Sequence, residues 1–258
     1  MKKRVFIITA LILTMTLFAA AALAEQPTAT AYKAKDVVLD GKLDEWNMDD
    51  PIVLAEPTQL VRDGHFWNGP DDLSAKVYIA WDETYFYIGA DVTEDSVFGA
   101  IEMLPLDGED NFEIFLSTNP ADDSARTEYA INDFKFFLIM DGEYWDTAFD
   151  RSMVPKDNRQ RFISKGMDGG ENVLEGYECA TARTTMGFTY ECKIPWTCFS
   201  NDKIAVYMPQ VGDTVNFNFL ITDISYPCPG TEYIPQIAWT GDLNINTNPS
   251  LWGRLNFQ

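Results

Sequence analysis

The sequence predicts an all-β chain, a jelly-roll-like antiparallel β-sandwich. Apolar residues recur with a period of two in segment after segment, the spacing that sends alternate side chains to opposite faces of a strand. The segments are bounded by Asp, Gly and Pro clusters that favour turns. Helical periodicity is nearly absent; one short helix is expected to start near Pro195-Trp196. With 258 residues, 46% hydrophobic and 14% aromatic, the chain is long enough to bury a sizeable core as one sandwich and too apolar for a disordered tail.

Residues 1–24 stand apart. Met1-Lys2-Lys3-Arg4 is a short basic start, Val5 to Ala22 is apolar, and Ala22-Leu23-Ala24 is an A-x-A cleavage site before Glu25. Together they form a secretory signal peptide, so a secreted protein is expected, extracellular or periplasmic. The alternative is an uncleaved anchor, because the run is nearly long enough to span a bilayer. Residues 25–35 read as an N-terminal leader and residues 36–258 as a single domain. Asp36 to Leu39 is expected as a short strand, closed by the Asp40-Gly41 turn.

The hairpin that follows is the best specified. Ala75 to Trp81 and Phe86 to Val92 both alternate, and the loop Asp82–Tyr85 sets Trp81 opposite Phe86, Ile79 opposite Ile88 and Val77 opposite Ala90. One face is then wholly apolar, and the other pairs Lys76 with Asp91. Further strands put Phe112, Ile114 and Leu116 opposite in sense to Asn111, Glu113 and Phe115. They likewise set Phe134, Phe136, Leu138 and Met140 against Asp133, Lys135 and Phe137. Tyr190 to Ile194 alternates and stops at Pro195. Val215, Phe217, Phe219 and Ile221 alternate with Asn216, Asn218, Leu220 and Thr222, and Leu251 to Phe257 closes the chain.

Charge restricts the partners. The formal net charge is -21, and cleavage after Ala24 removes three of 19 basic residues and no acid, giving 16 against 40, or -24. Nucleic acid is excluded, and so is an anionic membrane surface once the signal peptide is cleaved, because phosphate binding needs a basic surface. The single histidine, His65, excludes His-cluster metal enzymes and would have to serve any Ser/His/Asp triad. Five basic residues between Arg151 and Lys165 form a local exception that fits either an acidic ligand group or a solvated loop.

Export permits disulfides. Cys179, Cys192, Cys198 and Cys228 allow three connectivities, between which sequence does not choose. Cys179 and Cys192 flank a hairpin around Arg183–Gly187, and a tight turn at Thr184–Gly187 would set them opposite each other. The pairing Cys179–Cys192 with Cys198–Cys228 is therefore the expected one, with thiols as the alternative.

Chemically, aromatic and acidic residues dominate. Trp46, Trp81, Trp196, Trp239 and Trp252 lie in or beside apolar strand patterns and are expected in the core. Trp67 and Trp145 lie in polar, Gly-containing stretches, where an exposed indole can stack on the C–H face of a pyranose while nearby Asn, Asp and Glu bind its hydroxyls. Each also fits simple loop packing. Asp107, Glu109, Asp110 and Asn111, and separately Asp71 and Asp72, offer hard oxygens for calcium or merely solvated turns. A glycoside hydrolase needs two facing carboxylates; with 40 acids, pairs such as Asp110 and Glu113 arise without chemical purpose.

Five stretches in order resemble the family 9 carbohydrate-binding modules and their wider DOMON-like relatives. They are Leu39-Asp40-Gly41-Lys42-Leu43-Asp44-Glu45-Trp46; Asp71-Asp72-Leu73-Ser74-Ala75 running into Ala80 to Val92; Gly108 to Leu116; Tyr190 to Trp196; and Pro249 to Leu255. The resemblance implies a jelly-roll sandwich, non-catalytic binding of a polysaccharide or oligosaccharide, and structural calcium. It implies a sugar stacked on Trp145, helped by Trp67, and hydrogen-bonded by Glu113, Asn132, Asp133, Lys135, Asn216 and Asn218. Asp107, Glu109 and Asp110 are its metal candidates. Where the family tends to carry a sugar-gripping arginine this chain has Phe137, and the loop Asn244 to Asn248 lacks the second clamp aromatic. The alternatives are a secreted glycoside hydrolase or accessory subunit, or a haem-binding DOMON-like protein using His65 or a Met.

Overall fold

Period-two alternation becomes strands throughout the computed structural model, which describes residues 26–95, 110–139, 162–166, 171–173, 175–200, 203–223 and 234–258. In chain order these are β1 (Thr28–Lys33), β2 (Ile52–Leu54), β3 (Leu60–Arg62), β4 (Leu73–Trp81), β5 (Tyr85–Glu94), β6 (Asn111–Ser117) and β7 (Asp133–Ile139). They continue as β8 (Phe162–Gly166), β9 (Glu171–Val173), β10 (Glu178–Arg183), β11 (Gly187–Pro195), β12 (Thr214–Thr222), β13 (Gln236–Ala238) and β14 (Gly253–Phe257). The expected helix at Pro195-Trp196 is a single 3-10 turn, Trp196–Cys198.

The strands run β10-β11-β5-β4-β1-β14-β12-β6-β7-β8-β9, with β2, β3 and β13 attached at the sides. This path folds at β1. Thr28 to Ala31 pair with β14, and Ala31 to Lys33 pair with β4, both in parallel. The β10-β11-β5-β4 half therefore closes over the β14-β12-β6-β7 half as a sandwich. The segment expected as a leader is thus the seam strand, and the expected strand at Asp36–Leu39 is irregular chain. The seam also makes the sheet mixed rather than wholly antiparallel.

The core fills the space between the halves. Phe112 meets Tyr190 at 4.7 Å and Phe188 at 6.5 Å between ring centroids; Phe86 meets Phe217 at 6.0 Å, and Trp81 meets Phe257 at 5.4 Å. The β4–β5 register pairs Trp81 with Phe86, Ile79 with Ile88, Val77 with Ala90 and Lys76 with Asp91, as the alternation predicted. Asp82 fixes that turn: its Oδ1 accepts the N–H groups of Thr84 at 2.6 Å and Tyr85 at 2.7 Å. Trp46, Trp81, Trp196 and Trp252 are buried, and Trp239 is half-buried against the core.

On the outer side of the β4-β5-β11 half, the loop from Ala34 to Trp46 covers Tyr78, Ala80 and Tyr87. Gly41 turns at φ +82°, where a Cβ would stand 2.7 Å from that of Ala182. The hairpin expected around Arg183–Gly187 is present, with Thr184 N–H donating to Gly187 O at 2.9 Å, and Cys179 pairs with Cys192 across it. Cys179, Cys192 and Cys198 carry thiols in the structure; Cys228 lies outside the described residues, so its expected pairing with Cys198 does too.

Candidate functional site

Alternation in β6, β7 and β12 leaves one face of that sheet turned away from the main core, and it is polar: Asn111, Glu113 and Ser117; Asp133 and Lys135; Asn216, Asn218 and Thr222. Phe115, Phe137 and Leu220 interrupt it. Register sets Phe115 beside Lys135 and Glu113 beside Phe137, so Glu113 and Lys135 are diagonal neighbours.

Lys135 Nζ lies 2.5 Å from Glu113 Oε2 and donates to Asn246 Oδ1 at 2.5 Å. It stands 4.4 Å from the Phe137 ring centroid and 5.2 Å from that of Phe115. An ammonium between two phenyl faces and a carboxylate is held electrostatically on several sides. Gln236 Nε2 donates to Thr222 Oγ1 at 3.0 Å and lies 3.4 Å from Glu113 Oε1. Among the described residues, the buried Gln236 Oε1 and the Tyr129 hydroxyl oxygen have no hydrogen-bond partner. Burial, followed by the nearby Asp133 and Glu113 charges, pushes the Tyr129 hydroxyl well above its ordinary pKa.

Part of this face is roofed. Phe115, Leu220, Ala238, Ile245 and Trp252 form a second small core, with Tyr129 and Leu251 against it. The roof is the chain from Asp242 to Trp252. It is stiffened by Asp242 Oδ1 accepting Asn244 N–H at 2.8 Å, Asn248 Oδ1 accepting Ser250 N–H at 3.1 Å, and Trp252 Nε1 donating to Ile245 O at 2.9 Å. The loop noted for lacking an aromatic is the one that delivers Asn246 to Lys135.

The other residues expected on this face have partners within the fold. Asp133 is fully buried and takes both arms of the Arg126 guanidinium at 2.5 Å each, with Ala130 N–H at 2.7 Å. Burial raises its pKa, while the Arg126 fork and the Ala130 N–H pull it back down. Asn132 donates to Ser117 Oγ at 2.9 Å and Asp122 Oδ2 at 2.6 Å. Asn218 bonds to the backbone of Thr240 through both its oxygen and its nitrogen, and Asn216 accepts from Arg254. Trp67 is half-buried against the main core and donates Nε1 to Leu73 O at 2.8 Å, inside a turn closed by Asn68 N–H to Asp72 Oδ2 at 2.7 Å. His65 is exposed beside Phe66.

The structure thus brings Glu113 and Lys135 together and directs Asn132, Asp133, Asn216 and Asn218 into internal bonds. Trp145, Asp107 and Glu109 lie outside the described residues; Asp110 is fully buried just before β6. Sequence reading missed Gln236, Thr222, Tyr129 and Asn246. Thr222 shares the polar alternation of Asn216 and Asn218, a usable signal; Gln236, in a three-residue strand, and Asn246, at the end of the 3-10 turn Leu243–Asn246, carry none.

A family model described as "Carbohydrate family 9 binding domain-like" matches residues 39–258. The chain is 31% identical over 216 residues to the exoglucanase XynX of Acetivibrio thermocellus and 29% identical over 216 residues to endo-1,4-beta-xylanase A of Thermoanaerobacterium saccharolyticum. Each alignment covers 83% of this chain, which spans only 17% and 16% of the two relatives. A carbohydrate binding module of family 9 from Caldicellulosiruptor kristjanssonii, solved in complex with cellotriose, superposes with a TM-score of 0.58 at 16% identity, covering 90% of this chain and 94% of that one.

Proposed function

Because the chain belongs to the carbohydrate family 9 binding domain-like family, we propose that it binds a polysaccharide or oligosaccharide without cleaving it. The observation that carries this reading is the Glu113–Lys135 pair set between Phe115 and Phe137, with the unsatisfied Gln236 Oε1 beside it. Sugar hydroxyls donate to carboxylate and amide oxygens and accept from an ammonium, so this group of side chains matches their chemistry. In this reading Glu113 and Lys135 contact the ligand, Trp145 supplies the stacking surface, and Asn132, Asp133, Asn216 and Asn218 hold the face in shape. The cellotriose complex of the structural neighbour makes β-glucan the first ligand to try.

The signal peptide supports export, to the extracellular space or periplasm, where such glycans occur and cysteines can pair. Calcium is proposed as a structural ion with Asp107, Glu109 and Asp110 as ligands. Asp110 fits, as a fully buried hard-oxygen donor one residue before Asn111. Asn111 pairs with Thr222, and the next residue, Asp223, is also fully buried. Among the described residues no set of three acidic, His or Cys side chains gathers around one point, so the site depends on Asp107 and Glu109.

Affinity gel electrophoresis against soluble β-glucans and xylans tests the proposal. Retardation on at least one of them, lost in Trp145→Ala and without release of reducing ends, is the expected result. Equal mobility on all gels overturns it, and release of reducing ends would make the chain an enzyme.

A further inference from the structure

The β10–β11 hairpin places two sulfurs side by side. Cys179 and Cys192 are direct partners in the antiparallel register, and in such ladders facing Cα atoms stand about 4.5–5.5 Å apart, within the span of a disulfide. The two residues share a face. Cys192 is fully buried in the main core, while Cys179 is half-buried on β10, whose only strand neighbour among the described residues is β11. Tyr177 and Tyr190 flank the pair on the core side and meet hydroxyl to hydroxyl. Burial, then the neighbouring Cys179 sulfur, raises the Cys192 thiol far above its ordinary range, so Cys179 is the thiol that an outside reagent meets first. Cys198 differs: its thiol donates to Glu175 O at 3.5 Å, and burial pushes its pKa up to about 11.

We propose that Cys179 and Cys192 close into a cross-strand disulfide that clasps the edge strand β10 to the sheet, formed by a small-molecule or protein disulfide oxidant met on export. The clasp rests on the export reading for its oxidant, though not for its geometry. Cys179 attacks the oxidant's S–S bond as a thiolate, and one half of the oxidant leaves as a thiol. Cys192 then loses its proton and attacks the Cys179 sulfur of the mixed disulfide, and the second half leaves as a thiol. Two protein thiols are oxidised to one disulfide, and one oxidant disulfide is reduced to two thiols. The bond restrains the short loop around Thr184–Gly187 in the unfolded chain and ties down the strand against which Gly41 packs.

The mature chain, purified and incubated with oxidised glutathione, is alkylated under denaturing conditions and digested without reduction. The expected product is a Cys179–Cys192 linked peptide pair, two mass units lighter than its thiol form, with Cys198 alkylated or joined elsewhere. The same pair should form in Cys198→Ser. Reductant should lower the urea midpoint of oxidised Cys198→Ser and leave that of the Cys179→Ser, Cys198→Ser double variant unchanged. Full alkylation of both Cys179 and Cys192 after oxidation, or a peptide joining either to Cys198, overturns the proposal. Locating the native chain by cell fractionation tests export separately: a cytoplasmic chain sinks export, while the bond made with glutathione still stands.

Discussion

The Trp46 indole N–H donates to Glu191 Oε1 over 2.8 Å, and the other oxygen of that fully buried carboxylate accepts the backbone N–H groups of Gly41 at 2.6 Å and Asp40 at 3.0 Å. One carboxylate in β11 therefore fastens both ends of the Asp40-to-Trp46 motif to the sheet. That motif serves as a structural clamp rather than a ligand contact.

Glu191→Ala leaves three N–H donors without that acceptor, those of the buried Trp46 and Gly41 and that of the exposed Asp40. Each unsatisfied buried donor costs about 1–3 kcal/mol, so a loss of roughly 3 kcal/mol is expected once partial rehydration is allowed for. Urea denaturation of the variant checks this; a loss below 1 kcal/mol would mean the loop finds other acceptors.

Burial pushes the Glu191 carboxyl above its ordinary 4.5, more than the Trp46, Gly41 and Asp40 hydrogen bonds lower it. The folded chain thus holds this proton at pH values where the unfolded chain has released it. By linkage its contribution to stability is full below about pH 4.5 and declines as pH rises through the folded value. The stability difference between wild type and Glu191→Gln, followed by urea denaturation from pH 4 to 7, should shrink toward the upper end. A difference that grows with pH contradicts the sign.

Gly89 pairs with Glu191 across β5 and β11, and a Cβ there would stand 2.9 Å from the Trp46 ring. Gly89→Ala should cost about 1–3 kcal/mol by pushing the indole off its seat. Because Gly89→Ala and Glu191→Ala both unseat Trp46, the double variant should lose less than the sum. Additive losses would show that the indole is held independently of both.

Legibility from sequence followed how strongly each segment's side chains alternate. The β4–β5 register was readable to the residue, since large apolar groups repeat on one face and Asp82 announces the turn. β1 escaped because its buried positions are Ala29 and Ala31, too small to mark an apolar stripe, and because parallel pairing with two strands distant in the chain leaves no local trace. Alternation in Tyr190-Glu191-Cys192 says only that Glu191 turns opposite to its two neighbours; the tertiary cover of the Asp40–Trp46 loop makes it a buried acceptor. On the candidate face, alternation told which residues turn away from the core. It did not tell that Arg126 and Arg254 consume Asp133 and Asn216, because those partners lie in a loop and in a remote strand.

Arg126 neutralises a carboxylate that has no exposure. Arg126→Ala strands the Asp133 charge and should cost about 3–5 kcal/mol, whereas replacing both by apolar residues of similar volume, Arg126→Met with Asp133→Leu, should be far milder. In this account Asp133 shapes the binding face without touching ligand. The double variant should therefore keep its affinity for whichever glycan retards the wild type within about twofold, a change near 0.4 kcal/mol. A tenfold loss in a well-folded double variant would restore Asp133 as a ligand contact.

Lys135 and Glu113 face the opposite test. Their side chains are 14% and 2% exposed, so removing either alone leaves the other charge buried and should cost about 3 kcal/mol in stability, which confuses any binding measurement. Lys135→Met with Glu113→Gln removes both charges while keeping chain length. Asn246 and Gln236 can still bond to the new amide or to water, so the fold should survive with a modest change in urea midpoint. The ammonium and the carboxylate would be gone from between Phe115 and Phe137. If these charges grip sugar hydroxyls, isothermal titration of the glycan identified by electrophoresis should show at least a tenfold rise in Kd, or about 1.4 kcal/mol. The Arg126→Met, Asp133→Leu variant on the same sheet serves as the unaffected control. Unchanged affinity in the Lys135–Glu113 double variant, with its fold intact, would move the binding site off this face.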